Sequence, residues 1–403
     1  MGIICCDSFT TDGSGNATVT TPQWEPQLVM AKPSSATGNW DIYDMMRGTV
    51  TVGNDAVLSP NLSSAEVSTA DHISFTALGF DVVGYQASTT YIYMCIRRPN
   101  KPPESGSEVF AVDQGDSSGT ATVPEFLAGF PVDMALRKTT GAGDCAAVSR
   151  LTQGEQLWTD STIAATVSTA AKFDSNIGWW FGAFASTFYS WMFRRAPGFF
   201  DVVCYTGNGV AGREVAHNLG VVPEMMIVKC RSNATTWAVY HADNTAEPST
   251  EWLQLNSTAA TEDNSSLWAD TVPTSSVFTI DNSSNVNENN YTYIAYLFAT
   301  LAGISCVSSY TGNGTSQTID CGFSAGARFI LIKRIDSTGD WFIWDSTRGI
   351  VAGNDPHLSL NTTAAEVTTD DSVDPENSGF IVNQVAATNI NVNTATYIFY
   401  AVA

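Results

Sequence analysis

Phe329-Ile330-Leu331-Ile332-Lys333, with Trp341 eight residues beyond the lysine, repeats a pattern set near the start of the chain by Leu28-Val29-Met30-Ala31-Lys32 and Trp40. The match continues outward from this core. Arg47-Gly48, Leu58, Asn61, Ala65-Glu66-Val67, Gly79-Phe80 and Thr90-Tyr91-Ile92 return in order as Arg348-Gly349, Leu358, Asn361, Ala365-Glu366-Val367, Gly379-Phe380 and Thr396-Tyr397-Ile398. A third copy carries Met226-Ile227-Val228-Lys229, Trp237, Leu253, Asn256 and Thr292-Tyr293-Ile294. Internal repetition at a period of about 100 residues points to tandem domains rather than to the much shorter rungs of a solenoid.

A divergent fourth copy lies between the first and third. There Ala135-Leu136-Arg137-Lys138 stands for the lysine strand, Leu157 and Asp160 for the Leu/Asn pair, and Thr187-Phe188 for Thr-Tyr. Arg194-Arg195 closes this copy as Arg97-Arg98 closes the first, each shortly before a proline. The expected units are residues 1–98, 107–195, 199–301 and 304–403, each with its own core. The Pro-rich stretch 99–106 reads as a semi-rigid spacer. Ala196-Pro197-Gly198 and Ala302-Gly303 are short enough to fix neighbouring units in place.

Within each unit, apolar or alternating runs of four to eight residues are separated by Gly, Asn, Asp, Ser and Pro. Such spacing predicts short antiparallel strands in a β-sandwich of jelly-roll type, so the fold class is all-β. The run from Tyr397 to Val402 is apolar on both faces, as a central strand requires.

Composition limits function. The chain has 18 Lys+Arg against 40 Asp+Glu, a formal net charge of -22, which disfavours nucleic acid and anionic membrane surfaces as partners. Aromatic residues at 11% argue against disorder. No apolar run is long enough for a membrane-spanning helix, and the first residues lack the basic start and apolar stretch of a signal peptide. The eight cysteines show no CxxC pair and read as buried free thiols, suited to folding in a reducing cytosol.

The motifs favour architecture over chemistry. Lys32/Trp40, Lys229/Trp237 and Lys333/Trp341 fit cross-strand packing of a lysine stem on an indole; a sugar-stacking tryptophan is the alternative. Tyr-Thr-Gly-Asn-Gly at 205–209 and 310–314 reads as a tight hairpin turn. Gly115-Asp116-Ser117-Ser118-Gly119 resembles a nucleophile elbow but occupies a turn position with no helix behind it. His72, His217, His241 and His357 fall at different repeat positions, so no metal or other cofactor is expected. Asp370–Glu376 reads as a solvated acidic loop, with a cation site as the alternative. Asn61, Asn256 and Asn361 sit in Asn-x-Ser/Thr triplets at one repeat position, where a turn-fixing role is expected rather than glycosylation. The dense aromatic stretch with Trp179, Trp180, Phe181 and Trp191 exceeds the needs of one sandwich and is the candidate interface.

Arg194-Arg195-Ala196-Pro197-Gly198-Phe199-Phe200-Asp201-Val202-Val203, the Tyr-Thr-Gly-Asn-Gly strings and Thr311–Ile319 leading to Arg348-Gly349-Ile350 resemble the repeat regions of tail-fibre and structural virion proteins of tailed marine and cyanobacterial bacteriophages. The resemblance implies a non-enzymatic virion component, assembled in the host cytoplasm, at a tail fibre or tail tip and engaged in host attachment. Its implied partners are other virion proteins, further copies of the chain (a homo-oligomer, trimeric in many phage fibres) and a host-surface glycan. A capsid-decoration or head-fibre protein is the first alternative, and a glycan-degrading enzyme on a sandwich scaffold the second.

Overall fold

A computed structural model describes residues 2–48, 54–69, 71–116, 123–182 and 187–403. Strands dominate, and the helical elements among the described residues are three single 3-10 turns. The sheets fall into four consecutive pairs, each a larger sheet over a smaller one. In the fourth unit the larger sheet runs Ser305–Thr311, Thr396–Val402, Phe329–Arg334, Trp341–Asp345, Leu358–Ser359, and the smaller runs Ser316–Asp320, Gly379–Asn383, Val373–Glu376. The first unit repeats this order with Ile4–Thr10, Thr90–Arg97, Pro26–Pro33 and Asp41–Asp44 over Ala17–Val19, Gly79–Val82 and Ile73–Thr76.

The second and third units keep the same plan. Phe110–Gln114, Phe188–Phe193, Met134–Thr139 and Ala146–Ser149 are neighbours in the second, and Phe200–Thr206, Thr292–Phe298, Met225–Cys230 and Ala238–His241 in the third. In every unit the last strand lies between the first strand and the lysine strand. Leu331 faces Tyr400, Ile227 faces Tyr296, Leu136 faces Trp191 and Met30 faces Met94. These register pairs fix which residues correspond between units.

A strand sends alternate side chains to opposite faces. Tyr397, Phe399 and Ala401 pack within the fourth sandwich. Ile398, Tyr400 and Val402 point the other way into a second core. The third unit divides in the same manner, with Tyr293, Ala295 and Leu297 inward and Ile294, Tyr296 and Phe298 outward. In the second unit Met192 faces its own sandwich while Trp191 and Phe193 face out.

The outward faces of units two, three and four meet in one common core. Phe193 packs against Phe298 and Phe329, with ring centroids 5.9 and 6.0 Å apart, and Phe298 packs against Tyr400 at 4.9 Å. Besides the core inside each of these three sandwiches, their larger sheets share a further one. The continuous apolar runs in their central strands follow from burial on both faces.

Candidate interaction face

The joint between units two, three and four is cyclic. The third unit's Thr235 N–H donates to Thr162 O of the second, the fourth unit's Gly339 N–H to Thr258 O of the third, and the second unit's Gly143 N–H to Thr363 O of the fourth, at 2.9, 3.0 and 2.9 Å. A reciprocal set runs back: Ala165 N–H to Arg231 O, Thr261 N–H to Ile335 O, and Glu366 N–H to Thr140 O, at 2.7, 3.0 and 2.8 Å. The three junctions use corresponding positions, so the units are related by a pseudo-threefold closure. A closed ring of head-to-tail contacts satisfies every copy of the joint.

The recurring lysine and tryptophan serve this joint. Lys229 Nζ donates to Thr235 O in its own hairpin and to Thr162 O across the junction, at 2.6 and 3.0 Å. Lys333 does the same with Gly339 O and Thr258 O, at 2.5 and 2.9 Å. Lys138 reaches Ser359 O at 2.6 Å and Thr362 O. The Trp237 indole donates to Trp158 O and the Trp341 indole to Gln254 O, each at 2.9 Å. Burial pulls the Lys229 and Lys333 ammonium groups down to a pKa of about 8. The lysines thus neutralise carbonyl dipoles at chain reversals instead of resting on the indoles. In unit one Lys32 retains the expected pose, 6.0 Å from the Trp40 ring centre.

The corresponding asparagines each hold a hairpin. Asn61, Asn256 and Asn361 accept the backbone N–H of Trp40, Trp237 and Trp341 at 2.9, 2.9 and 2.8 Å, and Asp160 accepts that of Cys145 at 3.1 Å. Cys145 occupies the tryptophan position of the second unit, whose indole is missing.

Unit one carries the same outward face with its Leu28, Asp44 and Ile96 end turned to unit two and, among the described residues, no cover over the rest. Met30, Ile42, Met94 and Ile96 are half-buried, and Ile92 is 43% exposed where its counterparts Ile294 and Ile398 are 0% and 1%. Trp40 is half-buried where Trp237 and Trp341 are 1% exposed.

A buried ion cluster fastens unit one to the ring. Arg195 Nη1 donates to Glu25 at 2.6 Å and its Nε lies 3.3 Å from Asp133; Arg98 reaches Glu25 and Asp201, both at 3.2 Å; Arg150 lies 3.5 Å from Asp133. Burial pushes the Glu25 carboxyl up against the pull of Arg195 and Arg98. Burial also works against the Asp133 carboxylate, yet Arg195, Arg150 and Arg98 hold it below its ordinary value. The cluster borders a cavity of about 290 Å³ lined by Leu28, Met45, Met46, Ile96, Pro99 and Pro131 beside Arg98, Arg150 and Arg195. The sequence marked Arg98 and Arg195 as repeat boundaries, each in a pair of arginines ahead of a proline, and missed their role, and that of Arg150, as inter-unit ties.

Trp179, named as an interface residue, is enclosed in the second sandwich, stacked on Phe126 and Phe173, and its indole donates to Ser190 Oγ at 3.0 Å. Trp180 and Phe181 are half-buried beside that core. Trp191 does lie at a junction, donating to Asp345 of unit four at 2.9 Å, with Arg348 over its ring. Tyr-Thr-Gly-Asn-Gly is no hairpin: Phe200–Thr206 and the next strand, Arg213–Ala216, belong to different sheets, so the motif crosses the sandwich. Part of the acidic segment is strand, Val373–Glu376, and Asp370 pairs with His357 at 3.2 Å. All eight cysteines are free, with Cys6 exposed and Cys95, Cys145, Cys230 and Cys306 buried. Ser117, Ser118 and Gly119 of the elbow-like string lie outside the described residues. Among the described residues no group of three or more His, Cys, Asp or Glu is placed to hold a metal ion.

The family model described as Domain of unknown function (DUF7483) matches residues 2–99 and 194–403, leaving out the segment that contains the divergent second unit. Neither the curated proteins nor the solved structures contain a match.

Proposed function

The chain belongs to the DUF7483 family, whose function is unknown; we propose that it is a non-enzymatic structural protein of a tailed-phage virion, placed at a tail fibre or tail tip and taking part in host attachment. The observation that carries this reading is where the recurring polar residues go. The repeated lysines and tryptophans tie one sandwich to the next, and the repeated asparagines brace their hairpins. A protein that commits its repeated polar groups to joints is suited to bear load and to present surfaces, and rigid modules favour multivalent, individually weak contacts with a cell-surface glycan.

Immunogold labelling of virions tests the placement: label at the tail or fibres is expected, and label spread over the head would contradict it. Incubating the purified protein with host polysaccharide tests the rest. Retention of the polymer without cleavage is expected; release of oligosaccharides would contradict the non-enzymatic reading.

A further inference from the structure

Units two, three and four show what covers the outward face of this sandwich: two more copies of the same face. Unit one has that face and lacks the copies. Its larger sheet presents Met30, Ile42, Ile92 and Met94 in one patch, with Trp40 at one edge and Ile96, beside the cavity shared with unit two, at the other. The corresponding residues of unit four, Leu331, Ile343, Ile398, Tyr400, Val402 and Trp341, are all buried in the common core. A contiguous apolar patch that is half-buried, with Ile92 exposed, where its counterparts are fully buried is suited to an interaction surface.

The polar groups of the joint are also in place on unit one, and among the described residues they are unmatched. By register, Gly38 corresponds to Gly339 and Thr235, Ser63 to Thr258 and Thr162, Glu66 to Glu366 and Thr261, and Ser34 to Ile335 and Arg231. The backbone groups that cross the junctions in the ring are the N–H of Gly38 and Glu66 and the C=O of Ser34 and Ser63. In unit one all four residues are exposed, and among the described residues none of these groups makes a backbone hydrogen bond. Lys32 Nζ bonds its own hairpin at Gly38 O, 2.7 Å, as Lys229 and Lys333 bond theirs, but the second acceptor across the junction is missing.

We infer that unit one is a three-chain joint: three copies of this chain associate through their first units and rebuild, between chains, the closed ring that units two to four form within one. Each chain's Gly38 N–H and Lys32 Nζ meet Ser63 O of the next, Glu66 N–H of that next chain returns to Ser34 O, and the Ile92 and Met94 rows close a common core on the threefold axis. Complementarity is intrinsic, because the face pairs with itself under rotation. Lys32 has a neutral carbonyl to meet, and Asp44, Arg47 and Glu66 on the same face are joined to one another at 2.5 and 3.2 Å, so the acidic surface elsewhere does not oppose the contact. This association is independent of where the protein sits in a virion; a trimer absent from tails would overturn the placement alone.

Native mass spectrometry and sedimentation of the intact chain test it. The expected species is three chains of 43.1 kDa each. Ile92→Asp and Met94→Asp should each reduce the mass to one third with the strand signal of circular dichroism unchanged, while Val167→Asp, on an exposed strand of unit two, should leave the trimer intact. Ser34→Cys combined with Glu66→Cys supplies a second arm that needs no destabilising charge. Their backbone counterparts lie 2.7–3.0 Å apart in the ring, so oxidation should give a covalent trimer on a denaturing gel, and neither single variant should do so. A monomeric or dimeric wild type, a trimer indifferent to both aspartates, or a double-cysteine variant that stays a single chain would overturn the inference.

Discussion

The imidazole of His241 lies between units three and four with both nitrogens engaged. Nδ1 accepts the Asp243 N–H at 3.2 Å, which leaves the proton on Nε2, 3.4 Å from Phe399 O. Burial drives its pKa from the ordinary 6.5 to about 4. A depressed histidine is neutral in the folded chain while the unfolded chain takes up a proton. Its contribution is therefore intact above pH 6.5 and disappears as pH falls from 6.5 towards 4, a loss on the order of 3 kcal/mol. Urea unfolding of wild type and His241→Gln at pH 7 and pH 4.5 should show a smaller acid loss in the variant; equal losses would contradict this role. Asn361→Ala removes the acceptor of the Trp341 N–H in a buried hairpin and should cost about 1–3 kcal/mol, read as a lower denaturant midpoint. At this scale the repeat made the lysine, tryptophan and asparagine visible, but their partners could not be read. Trp341 meets Gln254 and Lys333 meets Thr258, residues from a different unit, and no local pattern encodes such a meeting.

Strands and their order follow from patterns that the chain displays openly. Thr396–Val402 is apolar at nearly every position because it is central in its sheet and buried on both sides, and the same holds for Thr292–Phe298. The sandwich-crossing motif is a different case. Its glycines signal a tight backbone, which a hairpin and a crossing both demand, so composition alone could not separate them. The structure supplies the reason: a Cβ on Gly312 would lie 2.2 Å from Val392 O, and one on Gly207 would lie 2.1 Å from Glu288 O. Gly312→Ala must push two backbone segments apart and should destabilise by about 1–3 kcal/mol. Gly322→Ala is a useful contrast. It has open space around the new methyl and differs only by its positive φ of 69°, so its cost should come from backbone strain alone and be about 1 kcal/mol. Thermal unfolding of the two variants separates close approach from conformational strain.

Three sandwiches joined by the faces opposite their own small sheets make a body whose stability is collective. The fourth unit taken alone would expose Phe329, Leu331, Trp341, Ile398 and Tyr400, all now buried in the common core. A fragment of residues 304–403 should therefore aggregate or remain loosely packed. The sequence displayed four repeats but carried no sign that three of them close on one another, since an outward apolar face looks the same in a chain whether its cover is a neighbour, another chain or solvent. Unit one differs from the others in this respect: it is held to the ring by the Arg98, Arg195, Glu25 and Asp133 cluster and, among the described residues, leaves Met30, Ile42, Ile92 and Met94 of its outward face without a cover. Scanning calorimetry of residues 107–403 tests the shared core most directly. The account predicts one transition whose calorimetric and van't Hoff enthalpies agree; three separable transitions, or an isolated fourth unit that melts at the same temperature as the ring, would contradict it.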